Sequence, residues 1–461
     1  MTNSSETLSW EPARLIPVSG IRSTEEQETR ATSALLAVLS AVEEFGVAFT
    51  KPYGAPKVKL QTYTEVPFKI SDDKTVRPDG LIQAQRGKKS WTALVEVKTG
   101  KNDLQREQIE NYLDVAKNEG FDCVITISNQ ISMIPGQHPV EVDKRKIKKV
   151  NLYHLSWSRI LTEAVLQQSH RGVSDPDQAW ILGELIRYLE HPKAGSVDFS
   201  DMGQHWVGVR DAVKNGTLRH TDKNAPEIAG KWEELVSFAA LRLGRKLGAD
   251  VQEVLSTKEK GDIAFRISTI VDEMVNQGLM TGKIRIPDAI GDIELKTDLR
   301  AQQIIVSINI AAPKSGRTLT RINWLIRQLK ESSADVRIDS WGQRARTSMS
   351  ELLGKVKQDP NSIFPADNRD LVSFTVSAIK PMGMARSVGK HSFIDSVLDT
   401  FDWFYGDVVQ HLQEWQPPAP KLKKPKELPE KKADELIDAK NALREVEPGE
   451  ANQNPPTSNN M

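Results

Sequence analysis

The pattern of the chain is that of an α/β protein built on an αβββαβ core. Three observations predict this. Apolar positions 31, 35, 38 and 42 recur at helical spacing within STEEQETRATSALLAVLSAVEEF. Two extended apolar segments, 76–84 and 91–99, flank a polar tip, Arg86-Gly87-Lys88-Lys89. A helix pattern and the β-branched run FDCVITISN follow.

Composition narrows the class. With 461 residues, 38% hydrophobic and 27% charged, the chain can bury two to three domain cores. Lys plus Arg and Asp plus Glu both number 62, so any surface for a polyanion must be local. The single cysteine, Cys123, excludes an intrachain disulfide and a zinc site built on several cysteines. Within DCVITI it reads as a core residue, compatible with a reducing compartment. MTNSSETLSWEPARLIPVSG has neither the basic nor the apolar region of a signal peptide. No run approaches the ~18 apolar residues of a membrane span. A cytoplasmic protein with no membrane partner is expected.

The elements follow in order. Residues 1–22 are expected to be irregular. Ser23 or Thr24 caps the first helix, and acids fill its first turn. VKLQTYTEVPFKI is expected as one strand, with Ser71-Asp72-Asp73-Lys74 as a turn. Asn102 or Asp103 is the expected cap of a helix running to about Lys117 and closed by Gly120. After FDCVITISN, a loop with Pro135, Gly136 and Pro139 leads to a strand in KKVNLYHLSW. These elements make a first domain, 23–172. A helical connector, 173–222, is clearest in DPDQAWILGELIRYLEH. A second α/β or α+β domain, 223–416, carries the helix KWEELVSFAALRLGRKLG. The strands IELKTDL and QQIIVSINI and the amphipathic helix LTRINWLIRQLKE follow in it. The tail 417–461, rich in Pro, Lys, Glu and Asn, is expected to be disordered.

The hairpin carries the chemistry. Its tip is centred near 87 to 88, so opposed residues sum to about 175 and Asp79 faces Glu96. Opposed side chains have Cβ atoms ~5 Å apart, so two carboxylates there repel unless something positive lies between them. A divalent cation is the natural partner of hard carboxylate oxygens. Glu96 and Lys98 share a face of the sheet, and the Val97 carbonyl offers a further ligand. Gly80 leaves room for close approach of a substrate. Two acids, a cation and an ammonium suit phosphodiester hydrolysis. The metal polarises the phosphate and lowers the pKa of bound water. Lys98 orients that water or stabilises transition-state charge.

Pro78-Asp79 and Glu96-Val97-Lys98, followed by a helix and a strand, resemble the PD-(D/E)XK nuclease superfamily. Gln108 and Tyr112, in QIENYLDVA, match the QxxxY element of its RecB-like branch, and their i, i+4 spacing places them on one helical face. The resemblance covers about residues 23–170, a third of the chain. It implies a restriction-endonuclease-like core and a nuclease dependent on Mg²⁺ or Mn²⁺. Asp79 and Glu96 would then be metal ligands, Lys98 catalytic, and Gln108 and Tyr112 part of the site. DNA is favoured over RNA by the resemblance alone, with repair, restriction of foreign DNA or stress response as roles. Two further acids are candidates. Glu28 continues the apolar stripe of the first helix, where many members of the superfamily carry an acid. Glu65 lies in the strand beside the hairpin. The alternative is a binding module, for nucleic acid or protein, on a nuclease-like scaffold.

Elsewhere, IPDAIGDIELKTD repeats the letters of the motif with Asp288 and Glu294. A strand follows it instead of a helix, so it reads as a structural hairpin. The histidines are scattered without metal-ligand spacing. Lys144, Arg145, Lys146, Lys148 and Lys149 form a candidate phosphate-binding patch near the hairpin. Arg317, Arg321 and Arg327, near Trp324 and Trp341, form another for nucleic acid. Residues 223–416 are also the expected place for a protein partner or a second copy of the chain.

Overall fold

Ser23 starts the first helix: its hydroxyl accepts the Glu26 amide at 3.1 Å, with Glu25 and Glu26 in the first turn. In the computed structural model, which describes residues 13–417 except 72–73, 133–137 and 197, α1 runs Thr24–Ala41. It buries Ala31, Leu35 and Val38. The chain turns at Val42 into α2 (Glu43–Thr50).

The expected single strand over VKLQTYTEVPFKI is two strands. β1 (Gln61–Thr64) ends at Glu65, whose φ of 52° is left-handed and cannot continue a strand. β2 (Phe68–Ser71) pairs with β3 (Lys74–Val76) in a separate ribbon. Half of the expected turn at 71–74 lies outside the described residues, as do Pro135 and Gly136. β4 (Gly80–Arg86) and β5 (Lys89–Val97) then form the hairpin, from Gly80 opposite Val95 to Arg86 opposite Lys89, the register its tip predicts. α3 (Arg106–Glu119) closes at Gly120. Gln105 occupies its N-cap, because Asn102 is engaged elsewhere and Asp103 lies too early. A helical crossover makes the next strand parallel. β6 (Cys123–Ser128) pairs parallel with β5, and β7 (Asn151–Ser156) pairs parallel with β6.

The sheet order β1-β4-β5-β6-β7 is mixed, with helices on both faces. Strand alternation splits the apolar residues between two layers. Ile82, Val95 and Ile125 face α1, α4 (Trp157–Leu166) and α5 (Pro176–Leu189). Leu81, Leu94 and Val124 face α3. The first core includes Leu182, Leu185, Tyr188 and Leu189 of α5 and ends at Ala194. The expected boundary at 172 therefore falls inside this core, and α5 is no connector.

The rest of the expected connector belongs to the second core: α6 (Trp206–Lys214) packs there with α7 (Ala225–Leu247). β8 (Gln252–Glu253), α8 (Thr257–Gly261), α9 (Ile263–Asn276), β9 (Leu279–Arg285), β10 (Ile293–Asp298) and β11 (Gln303–Ala311) follow. Then come α10 (Thr318–Gln328), β12 (Arg337–Gly342), β13 (Met349–Leu352), α11 (Leu353–Gln358), β14 (Leu371–Pro381) and α12 (Phe393–Asp407). The seven strands, in the order β13-β12-β14-β11-β10-β9-β8, pair antiparallel throughout, so this body is α+β. The motif-like stretch at 286–298 joins the antiparallel pair β9–β10. Asp288 takes φ 63° in the turn, and Glu294 lies between Lys283 and Lys296.

α4 packs on α7, and Arg159 reaches Asp250 at 3.3 Å, so the two cores adjoin within one compact unit ending at Trp415. The expected tail, after Pro417, lies outside the described residues. Among the described residues, no single helix is long and apolar enough to cross a membrane.

Candidate functional site

The end of the hairpin gathers four charged side chains. Glu96 is two residues beyond Leu94, so it points to the α3 face, where it is 1% exposed. Asp79 stands beside it: its Oδ2 accepts the Val97 amide at 2.7 Å. Lys98 Nζ lies 2.7 Å from Glu96 Oε1 and 3.3 Å from Glu28 Oε2. Asn102 donates to the other oxygen of Glu28. The first helix thus delivers its acid to the site, bridged to Glu96 through the ammonium.

Burial dominates the electrostatics. It pushes the Glu96 carboxyl up to about 8, with Asp79 adding repulsion and Lys98 opposing. Burial also raises Asp79, against the Val97 amide and Lys98. For Lys98, burial acts downward, but Glu96, Asp79 and Glu28 outweigh it and keep the ammonium charged. Neither oxygen of Glu96 receives a hydrogen bond of good geometry, despite the nearby ammonium. A buried carboxylate without donors is costly unless a cation or proton meets it.

Gln108 and Tyr112 act on each other and on the backbone before Asp79. Gln108 donates to the Tyr112 hydroxyl at 3.0 Å, and that hydroxyl donates to the Arg77 carbonyl at 3.2 Å. Burial raises the Tyr112 pKa, and the nearby Glu96 charge raises it further. The pair therefore braces the Arg77-Pro78-Asp79 segment from α3. Gly80 serves packing instead of substrate access: a Cβ there would lie 2.6 Å from Leu36 Cδ1 of α1. Glu65 is exposed, and its amide donates to the Asp79 carbonyl at 3.3 Å. It touches the site through its backbone.

One cluster escaped sequence reasoning. Thr126 is the strand partner of both Glu96 and His154, so the three lie in one row on the α3 face. The Thr126 hydroxyl lies 2.7 Å from His138 Nε2 and 2.9 Å from His154 Nδ1. His154 Nε2 lies 2.8 Å from the Gln130 carbonyl, so it must donate. Its Nδ1 then accepts the Thr126 proton, and His138 Nε2 donates to the Thr126 oxygen. His138 Nδ1 is left to accept the Val140 amide at 3.0 Å. Every group is satisfied with both rings neutral. Burial pushes His154 down to about 4 and lowers His138. No spacing rule links residues 126, 138 and 154; parallel strand register does.

The candidate phosphate-binding residues divide. Arg145 pairs with Asp143 at 2.8 Å and Lys146 with Asp114 at 2.5 Å, while Lys144, Lys148 and Lys149 are exposed and pair with no described acid. Arg321, expected on a nucleic-acid surface, is buried instead. It is 9% exposed, pairs with Asp370 at 2.9 Å and donates to the Leu371 carbonyl at 2.6 Å, so it holds β14 to α10 instead of facing a ligand. Arg317 and Arg327 are exposed. Trp324 packs on the second core, and Trp341 donates to Thr375 at 3.0 Å.

Among the described residues, no group of three or more His, Cys, Asp or Glu side chains forms a ready metal cage. Mg²⁺ does not require one, because it keeps several waters and takes one or two carboxylates plus substrate oxygens. The donor set fits such an ion: two adjacent carboxyls, both raised by burial, with neither oxygen of Glu96 taken by a well-directed hydrogen bond. In comparison with known proteins, the chain matches no family model and no curated sequence.

Proposed function

We propose that this chain is a nuclease dependent on Mg²⁺ or Mn²⁺, acting in the cytoplasm on phosphodiester bonds, with DNA as the first substrate to test. The observation that carries the reading is the meeting of Asp79, Glu96 and Lys98 at the hairpin end, with both Glu96 oxygens buried and without a well-directed hydrogen bond. The resemblance of Pro78-Asp79, Glu96-Val97-Lys98 and Gln108…Tyr112 to the PD-(D/E)XK pattern supports it. So does the order of the elements around them.

Asp79 and Glu96 would hold the cation, with the Val97 carbonyl as a further oxygen. The metal supplies Lewis acidity and an acidified water. Lys98 stays protonated, so its role is to stabilise charge or orient the water instead of taking a proton. Glu28 holds the ammonium toward the site, and Gln108 and Tyr112 hold the Asp79 segment in place. Lys144, Lys148 and Lys149 are the free cations best suited to a phosphate backbone. The second body would then govern where or when cleavage occurs, through a protein partner, a second copy or the nucleic acid itself.

The test is a panel of single-stranded, double-stranded and branched DNA, plus RNA, with Mg²⁺ or Mn²⁺. Cleavage in wild type and its loss in Glu96→Ala support the reading. The second reading, a binding module, is favoured by the Glu28–Lys98–Glu96 ion cluster, which already compensates part of the buried charge. Calorimetric titration separates the two: a module need not bind Mg²⁺ through Asp79 and Glu96.

A further inference from the structure

The chain leaves the first body at Gly195, bonded to the loop that carries Lys98. The Gly195 carbonyl accepts the Gly100 amide at 2.9 Å and the Asn129 side-chain amide at 2.8 Å. Asn129 also donates to the Gly100 carbonyl at 2.9 Å. Gln27, the neighbour of Glu28, donates to the Lys193 carbonyl at 2.9 Å and accepts the Thr99 hydroxyl at 3.2 Å. Gly195 has φ 77°, and a Cβ there would lie 2.3 Å from Gln27 Cδ. The positive φ disfavours any side chain here, and a Cβ would push the Gln27 side chain from its place.

From the other side, Trp157 at the start of α4 donates to the Lys98 carbonyl at 2.9 Å, and the Lys98 amide donates to the Ile127 carbonyl at 2.8 Å. Residues 98–100 are thus held by α4, by β6 and by the 192–195 turn. Two of these lead to the second body: α4 packs on α7, and the turn opens the path to α6. An ammonium on a four-carbon stem has many rotamers. Glu96 and Glu28 hold the ammonium, fixing the backbone on both sides sets where its stem begins, and a displacement of ~1 Å costs turnover before it costs binding.

We propose that the 192–195 turn is a strap that positions Lys98, with Gln27 and Gly195 as positioning residues. The proposal rests on the nuclease reading above.

The experiment compares full-length Gly195→Ala, Gln27→Ala and a control, Gly216→Ala, with wild type. Gly216 shares the positive φ, at 68°, but a Cβ there would meet nothing within 4 Å. With Mg²⁺ and the substrate that wild type cleaves best, kcat should fall about tenfold or more in the first two variants while KM stays within about twofold. Mg²⁺ affinity by calorimetry should not change, since Asp79 and Glu96 are untouched. Hydrogen exchange of a peptide spanning Val97–Asp103 should accelerate in Gly195→Ala. If Gly195→Ala does not fold, Gln27→Ala carries the same readouts. Unchanged kcat, or an equal loss in Gly216→Ala, overturns the proposal. So does unchanged exchange in that peptide, even in an active nuclease. Accelerated exchange in a protein whose wild type cleaves no nucleic acid instead removes the nuclease reading and leaves the strap as a support for the loop.

Discussion

Both oxygens of Glu96 lie inside the protein without a well-directed donor, and the Asp79 carboxyl stands next to them. The folded value of about 8 lies above the ordinary 4.5, so the metal-free fold favours the neutral acid. Stability from this group is complete below pH 4.5 and is lost as pH rises through about 8. Glu96→Gln should therefore raise the Tm of the metal-free protein at pH 9 and leave it unchanged at pH 4.5. One pKa unit is worth about 1.4 kcal/mol, so the alkaline gain is up to a few kcal/mol. An equal Tm for the two proteins at pH 9 contradicts the buried, unsatisfied state of Glu96. At Arg321 the effect is the reverse. Arg321→Ala should cost about 2 kcal/mol or more, because it strips donors from the buried Leu371 carbonyl and from Asp370. Nucleic-acid affinity that drops in this variant while denaturant stability holds would restore Arg321 to the binding surface.

Among the elements, the loop after β6 depends on neutral histidines. His154 sits at about 4, below the ordinary 6.5, so its contribution is present above pH 6.5 and is lost as pH falls toward 4. His154→Asn keeps a donor and an acceptor in place of the ring. Its Tm should fall less steeply than that of wild type between pH 6.5 and 4, and parallel curves would exclude the ring as the cause. The hairpin register, the first helix with Ser23 as one of two candidate caps and the shared face of Gln108 and Tyr112 were all legible, because each is local: a turn centre, a cap and an i, i+4 step. What the chain did not disclose is non-local. Glu65 breaks the expected strand at a left-handed φ. Asn102 gives up its expected capping role to reach Glu28. The His138–Thr126–His154 row exists through strand register alone, and the strap at Gly195 joins residues far apart in the chain.

For the whole molecule, the first body ends near Ala194, not at 172. Removing α5 takes away Leu182, Leu185, Tyr188 and Leu189 and uncovers the surface they bury. At roughly 1.5–3 kcal/mol each, their loss is comparable to the entire stability of a domain. A fragment of residues 21–172 should therefore fail to unfold cooperatively, whereas one of residues 13–196 should do so. Cooperative unfolding of the shorter fragment, seen by calorimetry, would return the boundary to 172. Nucleic-acid binding belongs to this scale too. Replacing Lys144, Lys148 and Lys149 with Ala should flatten the log–log salt dependence by up to about three increments of 0.7 to 0.9, one per released phosphate contact. An unchanged slope assigns the backbone contacts to another surface.

In the proposed nuclease, Asp79 and Glu96 hold a divalent cation with which the chain cleaves nucleic acid. The most direct measurement is cleavage by full-length wild type, Asp79→Ala, Glu96→Ala and Lys98→Ala, with Mg²⁺ and with excess EDTA. Cleavage should require the metal and disappear in both acid variants. Lys98→Ala should lose turnover by about a hundredfold or more while still binding substrate, since removing one transition-state stabiliser typically costs that much. Wild-type cleavage that persists in EDTA, or acid variants that cut as well as wild type, would contradict the claim.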